Sequence, residues 1–262
     1  MEAYLDNAAT TRAADEVAKV VTDIMLNDYG NPSSKHSKGF DAEKQVKQAA
    51  QIIAKTLKCD EKEILFTSGG TESNNMAIIE SAIANKRRGN HVIVSSVEHS
   101  SVKEPFRYLE ENGFNVTYLP VDNRGLVSVD ALKEALDEET ILVSVMLVNN
   151  EIGTIEPVEK IGKIVKDYNK DIIFHVDAIQ AYGKMRIYPK KMNIDLREAV
   201  SENFGFGDFI FRNPNTMEEV VRVHNLKELQ NAIFSIPAES FLYHISRNHI
   251  SRWLYSRAIF PV

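Results

Sequence analysis

The feature that most constrains this chain is the alternation of helical and strand-like patterns over residues 1–196. Six segments space their apolar residues as amphipathic helices do: 15–25, 42–57, 74–85, 102–111, 129–136 and 158–168. Five runs between them are rich in Val and Ile, barely alternate and end in polar residues: 63–67, 91–95, 116–120, 141–148 and 172–177. Such runs are typical of buried parallel strands joined by helical crossovers. The sequence therefore predicts an α/β fold with a mostly parallel, doubly wound sheet, whose ligands bind at the carboxyl ends of the strands.

Composition narrows the class of protein. The chain has 262 residues and a net charge of −6, which offers no general attraction to nucleic acid or to acidic membranes. Cys59 is the single cysteine, so disulfide frameworks and cysteine-rich zinc sites are excluded and a reducing compartment is favoured. No apolar run reaches the length of a transmembrane helix, and the first residues do not resemble a signal peptide. We therefore expect a cytoplasmic protein with no metal site that binds neither nucleic acid nor membrane.

The pattern changes after residue 196. Residues 204–207 read Phe-Gly-Phe-Gly, and residues 208–212 and 219–223 predict a hairpin. A short helix is predicted over residues 226–234, and a longer one from Pro237 to about residue 255. Basic and acidic residues balance over residues 197–262, so the whole net charge belongs to the first segment. We therefore predict two domains, 1–196 and a small hairpin-and-helix tail, 197–262.

Two glycines follow the predicted strand 63–67 and precede a helix. Residues 68–73 read Ser-Gly-Gly-Thr-Glu-Ser. Backbone N–H groups in such a turn can approach an anion closely, and the helix N-terminus adds positive potential. The segment is neither a Walker loop nor a G-x-G-x-x-G motif. A plain tight turn in which Thr71 caps the helix is an equal alternative.

Polar residues also follow three other predicted strands. His99 can stack on a ligand or transfer a proton, the alternative being an ordinary hydrogen-bonded loop histidine. The adjacent Asn149 and Asn150 can donate to an anionic or phenolic oxygen, the alternative being an Asx turn. Asp177 can hold a ring nitrogen protonated, with Gln180 able to reach the same ligand, or it can cap a helix.

The carboxyl ends of parallel strands meet at one edge of a sheet, so these four groups are expected to converge on one cleft. An anion cradle, an imidazole that stacks, an amide donor and a carboxylate for a ring nitrogen are what a phosphorylated aromatic cofactor requires. Pyridoxal phosphate fits that description, whereas a nucleotide leaves Asp177 without a role.

The motifs that carry these residues resemble the cysteine desulfurases of the NifS/IscS type, in the class V aminotransferase group. The resemblance is collinear over residues 1–196 and rests on residues 4–11 (YLDNAATT), 30–34 (GNPSS), 66–74 (FTSGGTESN), 97–99 (VEH), 148–153 (VNNEIG) and 175–180 (HVDAIQ). It implies a fold-type-I pyridoxal phosphate enzyme that converts L-cysteine to L-alanine and transfers the sulfur to an enzyme cysteine as a persulfide. It also implies a homodimer that serves iron–sulfur cluster or thio-cofactor assembly through sulfur-acceptor or scaffold proteins.

The resemblance also implies a role for each matching position. The cofactor-binding residues would be Gly70, Thr71, His99, Asn150, Asp177 and Gln180. Gly70 and Thr71 would bind the phosphate, and His99 would be the catalytic residue, stacking on the ring and transferring protons. Asn150 would contact the phenolic oxygen and Asp177 the ring nitrogen.

The sequence departs from the family after residue 196. There the family continues into Ser-Gly-His-Lys, whose lysine binds the cofactor covalently, whereas this chain has no lysine between Lys191 and Lys227. The family's later persulfide cysteine and substrate-carboxylate arginine have no counterpart, and Cys59 lies where the family has no nucleophile. We therefore expect a truncated large domain that binds the cofactor at most non-covalently and is inactive as this chain.

Residues 197–262 resemble a small module of some bacterial phosphoenolpyruvate synthase or pyruvate phosphate dikinase-like proteins, on residues 204–212, 225–229 and 236–249. No catalytic residue carries over from that resemblance. His244 and His249 are not at the three- or four-residue spacing of metal ligands on one helix face. Two alternatives to a desulfurase-like chain stay open. One is a non-catalytic scaffold that binds the cofactor or a protein partner, and the other is a chimeric gene product joined near residue 196.

Overall fold

The computed structural model describes residues 3–195, 209–223, 232 and 235–246. The chain divides into two compact units, Met1–Asn203 and Phe204–Val262, and each is described by itself. The predicted boundary between residues 196 and 197 falls outside the described residues and stays a prediction. None of the described helices combines the length and the apolar composition that crossing a lipid bilayer requires.

The first unit is built on a parallel sheet of four strands in the order β2-β1-β3-β4. The strands are β1 His91–Ser95, β2 Asn115–Leu119, β3 Thr140–Ser144 and β4 Ile173–His175. The chain leaves β1 to form β2 on one side and later returns to form β3 on the other side of β1. The switch point of the sheet therefore lies between β1 and β3, where open parallel sheets bind their ligands.

All six predicted helical segments are confirmed, several with an additional turn. Their bounds are α1 Asp15–Asn27, α2 Ser37–Leu57, α3 Gly70–Asn75, α4 Ser81–Asn85, α5 Ser100–Glu111, α6 Val129–Ala135 and α7 Val158–Tyr168. Residues Met76–Glu80 are π-helical and join α3 to α4, so residues 70–85 form one helical stretch.

Two apolar clusters explain why the central strands β1 and β3 are buried along their whole length. Ile93 of β1 packs into a cluster with residues of α6 and α7, among them Ile161. Its neighbours Val92 and Val94 pack into a second cluster with residues of α5, among them Phe106. Successive residues of β1 thus enter opposite clusters, so both faces of the sheet are buried under helices. This confirms the doubly wound architecture.

Strands β3 and β4 are shorter than the predicted runs 141–148 and 172–177, yet their chains continue side by side. The N–H of Val145 donates to the carbonyl of His175 at 3.2 Å, and the N–H of Leu147 donates to the carbonyl of Asp177 at 2.9 Å. These bonds carry the pairing past the ends of the regular strands. They fix the segment after β3 beside Asp177 at the carboxyl edge of the sheet.

The predicted strand 63–67 is wrong. Glu63 closes a short 3-10 turn that begins with a capping box at Asp60. The extended residues that follow pair with no described strand, and Leu65 and Phe66 are 43% and 50% exposed. An apolar run becomes a strand only where a neighbouring strand supplies backbone partners, and among the described residues none lies beside this run.

The second unit contains the predicted hairpin. Its described elements are β5 Phe209–Arg212, β6 Glu219–Val223 and α8 Ala238–Ser246. β5 pairs antiparallel with β6, and the buried side chains of Phe211 and Val223 share one small apolar cluster. α8 confirms the beginning of the helix predicted from Pro237. Outside the described part lie most of the helix predicted over 226–234, residues 247–255 of the last helix, and the side chains of His244 and His249.

Candidate functional site

Two loops meet at the switch point, one after β1 and one after β3. Oε1 of Glu98, in the first loop, accepts the backbone N–H of Met146 in the second at 2.6 Å. Nδ2 of Asn149 donates in the opposite direction, to the carbonyl of Val97, at 3.1 Å. These two bonds hold the loop that carries His99 against the end of β3.

Glu98 is a buried carboxyl group, 2% exposed. The hydroxyl of Ser95 donates to its Oε1 at 2.7 Å, while its Oε2 has no hydrogen-bond partner among the described residues. Burial, with a smaller contribution from the charges of Asp177 and Glu156, raises the pKa of Glu98 to about 7. The group is therefore protonated in a large fraction of molecules at neutral pH. The sequence prediction gave Glu98 no role, although an acidic residue three positions after an apolar run is a usable signal.

His99 is the N-cap residue of α5. Its Nδ1 accepts the backbone N–H of Ser101 at 3.2 Å and lies 2.8 Å from the Oγ of the same serine. The ring is thereby attached to the first turn of the helix through one nitrogen, while the residue as a whole is exposed. The alternative prediction, an ordinary hydrogen-bonded histidine, is confirmed for Nδ1. Any contact between the ring nitrogens and a ligand would therefore be made by Nε2.

Asp177 is 7% exposed and follows β4. Its Oδ1 accepts the N–H of Ile179 at 3.0 Å in an Asx turn, and its Oδ2 accepts Nδ2 of Asn74 at 2.9 Å. Because Asn74 lies in α3, the second bond joins the helix that begins at the glycine turn to the end of β4. A carboxylate offers about four lone-pair sites, so both oxygens can accept a further donor. The sequence prediction gave Asn74 no role, because only the fold brings it to Asp177.

The glycine turn begins α3 without a side-chain cap. Gly69 occupies the N-cap position, so the alternative in which Thr71 caps the helix is wrong. Glu72 reaches back from the first turn, and its Oε2 accepts the N–H of Ser68 at 2.6 Å. Hydrogen bonding by the side chain of Ser68, followed by that of its backbone N–H, lowers the pKa of Glu72. The carboxylate of Glu72 thus accepts the hydrogen bond that closes the turn, since neither glycine has a side chain that could accept it.

The glycine turn packs against the residues that follow Asp177. A Cβ atom placed on Gly70 would lie 3.0 Å from Cδ1 of Ile179, so a larger residue would press on that side chain. A Cβ placed on Gly69 would meet nothing within 4 Å. Open space therefore adjoins Gly69 at the N-terminus of α3, next to the residues that follow Asp177.

The two adjacent asparagines after β3 have different environments. Oδ1 of Asn149 accepts the N–H of Glu151 at 2.9 Å and that of Ile152 at 3.0 Å, which confirms the Asx turn. Asn149 is 7% exposed, whereas Asn150 is half-buried on the same turn. The structure thus gives Asn149 the anchoring role, which the sequence prediction did not separate from that of Asn150.

Gln180 faces the N-terminal segment. Its Nε2 donates to the carbonyl of Ala8 at 2.8 Å, and its Oε1 accepts Nζ of Lys184 at 3.1 Å. Ala8 belongs to the motif at residues 4–11 and Gln180 to the motif at residues 175–180. The fold therefore places the first and the last of the family motifs in contact.

His175 of β4 is a half-buried neutral histidine. Burial lowers the pKa of His175 to about 4, and the negative charge of Asp177 opposes that shift only in part. The Oγ of Ser144 lies 2.8 Å from its Nδ1. A neutral imidazole supplies no positive charge to balance the carboxylate of Asp177.

These residues fit pyridoxal phosphate. Asp177 is a buried carboxylate with spare lone pairs, and neither Glu98 nor His175 offers it a counter-charge, so a protonated ring nitrogen would be a complementary donor. Open space adjoins Gly69 at the N-terminus of α3, and a helix N-terminus with room beside it suits an anion. His99 holds one ring nitrogen back against α5 and leaves the other for a ligand.

Comparison with known proteins gives one family. Residues 3–201 match the family model described as aminotransferase class-V. The chain is 43% identical over 224 residues to the cysteine desulfurase IscS of Clostridium botulinum, an alignment that covers 84% of this chain and 56% of that relative.

Solved structures agree with the sequence matches. A structure described as a NifS-like protein aligns with a TM-score of 0.72 and 42% identity, over 74% of this chain and 54% of that one. A structure described as SspA in complex with cysteine aligns with a TM-score of 0.70 and 40% identity, over 73% of this chain and 55% of that one. The chain thus spans about half the length of these relatives, and the alignments confirm the predicted α/β fold with a mostly parallel sheet.

Proposed function

Because the chain belongs to the class-V aminotransferase family, we propose that its first unit is a cysteine desulfurase-like module that binds pyridoxal phosphate at the switch point of the sheet. The hydrogen bond from Asn74 to Asp177 carries the proposal, since it joins a buried carboxylate to the helix that begins at the glycine turn. The similarity to cysteine desulfurases, and to a structure that holds cysteine, supports L-cysteine as the amino acid that this cleft receives.

Each residue at the edge of the cleft has a part in the proposed binding. The N–H groups at Gly70 and Thr71 would hold the phosphate, and the carboxylate of Asp177 would accept the ring N–H. His99 would lie against the ring and hold or move a proton at Nε2. The remaining contacts would come from the amides of Asn150 and Gln180. When bound, the cofactor supplies a protonated aromatic ring that withdraws electrons from the α-carbon of the amino acid.

We also propose that these 262 residues do not turn over cysteine alone. No lysine lies between Lys191 and Lys227, where the family resemblance places the covalent attachment. Cys59 is half-buried after α2, and burial followed by the charge of Glu63 raises the pKa of its thiol, which disfavours the nucleophilic thiolate.

The test is a titration of the purified chain with pyridoxal phosphate, followed by absorbance and by equilibrium dialysis. We expect reversible binding that Asp177→Asn weakens at least tenfold, because the neutral amide loses a charge-assisted hydrogen bond to the ring. Asp167→Asn, on the exposed face of α7, is the matched control and should bind as the unchanged chain does.

Three results would contradict the proposal. Equal affinity of the Asp177→Asn and Asp167→Asn variants for pyridoxal phosphate would show that the cofactor does not bind in this cleft. A borohydride-stable adduct at Lys184 or any other lysine would show that attachment is covalent. Release of alanine from cysteine by the unchanged chain would show that it is active without the family's lysine and cysteine.

The family resemblance implies a homodimer, and we propose that a second copy contacts the α1 face (Val17, Val20, Val21, Ile24 and Met25). α1 has no buried residue, and the side chains of this face are 36% to 70% exposed. Together with α2 and Phe66, the helix borders an apolar groove of about 580 Å³. Apolar helix faces of this kind are stabilised by packing against another surface.

Light scattering after size exclusion tests the dimer. The unchanged chain should elute as a dimer and Val21→Glu as a monomer, while Thr22→Glu, an exposed change on the same helix, should leave the dimer intact. A monomeric unchanged chain, or a dimer that survives Val21→Glu, contradicts the assignment of this face.

A further inference from the structure

A line of hydrogen bonds connects His99 to Asp177 through two buried side chains. Oγ of Ser101 lies 2.8 Å from Nδ1 of His99, and Nδ2 of Asn74 lies 3.0 Å from that Oγ. The same Nδ2 lies 2.9 Å from Oδ2 of Asp177. Asn74 is 6% exposed and Ser101 is 8% exposed. The imidazole and the carboxylate of the candidate site are therefore joined by three consecutive hydrogen bonds.

The carboxylate of Asp177 determines which way the Asn74 amide points. An amide oxygen turned toward Asp177 would face another acceptor at 2.9 Å, whereas the amide nitrogen carries two N–H donors. One N–H is donated to Asp177 and the other to Oγ of Ser101. Because Oγ of Ser101 accepts a hydrogen bond from Nδ2 of Asn74, the hydroxyl proton of Ser101 has to point away from Asn74.

The acceptor within reach of that hydroxyl proton is Nδ1 of His99. The backbone N–H of Ser101 is directed at the same nitrogen from 3.2 Å. A proton on Nδ1 would confront this N–H, so Nδ1 has to be the nitrogen with the lone pair. We infer that Asn74 and Ser101 are positioning residues that fix His99 in the neutral tautomer with its proton on Nε2.

The tautomer decides what His99 presents to the cleft. With Nδ1 tied to the first turn of α5, the free nitrogen carries an N–H and enters the site as a donor. Its place beside the cofactor rests on the proposed function, but the tautomer itself requires no cofactor. Since Asn74 donates to both Asp177 and Ser101, a change at that carboxylate is transmitted to the imidazole through Asn74 and Ser101.

The direct test is the tautomer of His99 in the full chain without cofactor. Long-range proton–nitrogen correlation spectra of nitrogen-15-labelled protein at about pH 8.5 separate the two ring nitrogens of neutral histidines. His99→Gln identifies the His99 signals by their loss. We expect a protonated, pyrrole-type Nε2 and an unprotonated, pyridine-type Nδ1. The reverse assignment, or two nitrogens with averaged shifts, would overturn the inference.

Variants distinguish positioning from general support of the fold. Ser101→Ala removes the hydroxyl donor and leaves only the longer bond of 3.2 Å from the backbone N–H, so both His99 nitrogen shifts should move part of the way toward their average. Ser101→Thr, which keeps the hydroxyl, should restore them. Ser100→Ala changes the exposed neighbour in the same helical turn and should leave the shifts unmoved. Unmoved shifts in a folded Ser101→Ala variant would contradict the role of Ser101.

Adding pyridoxal phosphate separates this inference from the proposed function. Ser101→Ala should raise the dissociation constant about three- to tenfold, as expected for one lost hydrogen bond. An unchanged chain that binds no cofactor but shows the Nε2 tautomer would refute the proposed function and uphold the inference. A chain that binds the cofactor but carries the His99 proton on Nδ1 would refute the inference and uphold the proposed function.

Discussion

Nζ of Lys166 lies 2.6 Å from Oδ2 of Asp195, and the same ammonium donates to the carbonyl of Ile172 at 2.6 Å. That Oδ2 also accepts the backbone N–H of Phe174 at 2.7 Å. The side chains of the pair are only 19% and 17% exposed. One shielded ion pair therefore ties α7 to both ends of the segment that contains β4 and Asp177.

Replacing Lys166 by methionine should destabilise the first unit by about 3 kcal/mol, because the shielded carboxylate of Asp195 would lose its ionic partner and keep only the N–H of Phe174. The matched control is Lys163→Met, which removes an exposed ion pair with Asp167 on the same helix. That change should cost less than about 1 kcal/mol. Urea unfolding followed by far-ultraviolet circular dichroism measures both, and equal losses in the two variants would contradict the importance of shielding.

Glu98→Gln should make stability less dependent on pH. The pKa of Glu98 is raised to about 7 in the folded chain, above the ordinary value of about 4.5, so its contribution is present below pH 4.5 and lost as pH rises through 7. Glutamine keeps the acceptor for Met146 and never ionises. At about pH 8.5 the variant should be more stable than the unchanged chain by about 3 kcal/mol, with little difference near pH 4.5.

Urea titrations at both pH values test Glu98→Gln. Glu104→Gln, on the exposed face of α5, serves as the control and should not alter the pH dependence. A Glu98→Gln variant that is equally destabilised at both pH values would show that the ionised form is the one the fold uses.

His175→Asn should protect the fold from acid. The pKa of His175 is lowered to about 4 by burial, below its ordinary value of about 6.5, so its contribution is present above pH 6.5 and lost as pH falls toward 4. The variant should lose about 2 kcal/mol less than the unchanged chain between pH 7 and pH 5. His36→Asn, an exchange at the exposed N-cap of α2, is the control. Parallel acid sensitivity in both variants would place the titrating group elsewhere.

Gly162→Ala should destabilise the first unit although alanine favours helices. A Cβ on Gly162 would lie 2.2 Å from the carbonyl oxygen of Met192 and 3.0 Å from Cε1 of Phe174. The resulting displacement should cost about 2–4 kcal/mol, more than the gain of about 1 kcal/mol in helix propensity. Lys160→Ala, an exposed change on the same helix, should be nearly neutral. Thermal unfolding compares them, and a stabilised Gly162→Ala would contradict the close approach.

The helices and most strands could be predicted from the sequence because their periodicity reflects burial on one or both faces. The run 63–67 resembles β1 in having three apolar residues between polar ends, but it pairs with no described strand, and such a pattern does not report whether a partner exists. Likewise β3 ends at Ser144 although apolar residues continue to Val148. A strand ends where the adjacent strand turns away from it, and the local sequence pattern carries no information about that point.

The candidate site could be predicted as a set of positions but not as a network. Gly70, His99 and Asp177 were found because each follows a strand or opens a helix, which is a local signal. Asn74 and Ser101 link them across distant parts of the sequence, and neither is unusual for its helix until the fold is known. The burial that sets the pKa of Glu98 is similarly a product of tertiary packing.

The bond between Asn74 and Asp177 joins residues 103 positions apart, whereas β1 and β2 are connected through a single helix. Contacts of short sequence separation close early in folding, and those that enclose long loops close late. The central sheet can consequently form while the imidazole and the carboxylate are still unconnected. We therefore expect the cleft to become able to bind the proposed cofactor only at the end of folding. The rate at which a refolding chain gains affinity for pyridoxal phosphate would then measure the slowest folding step.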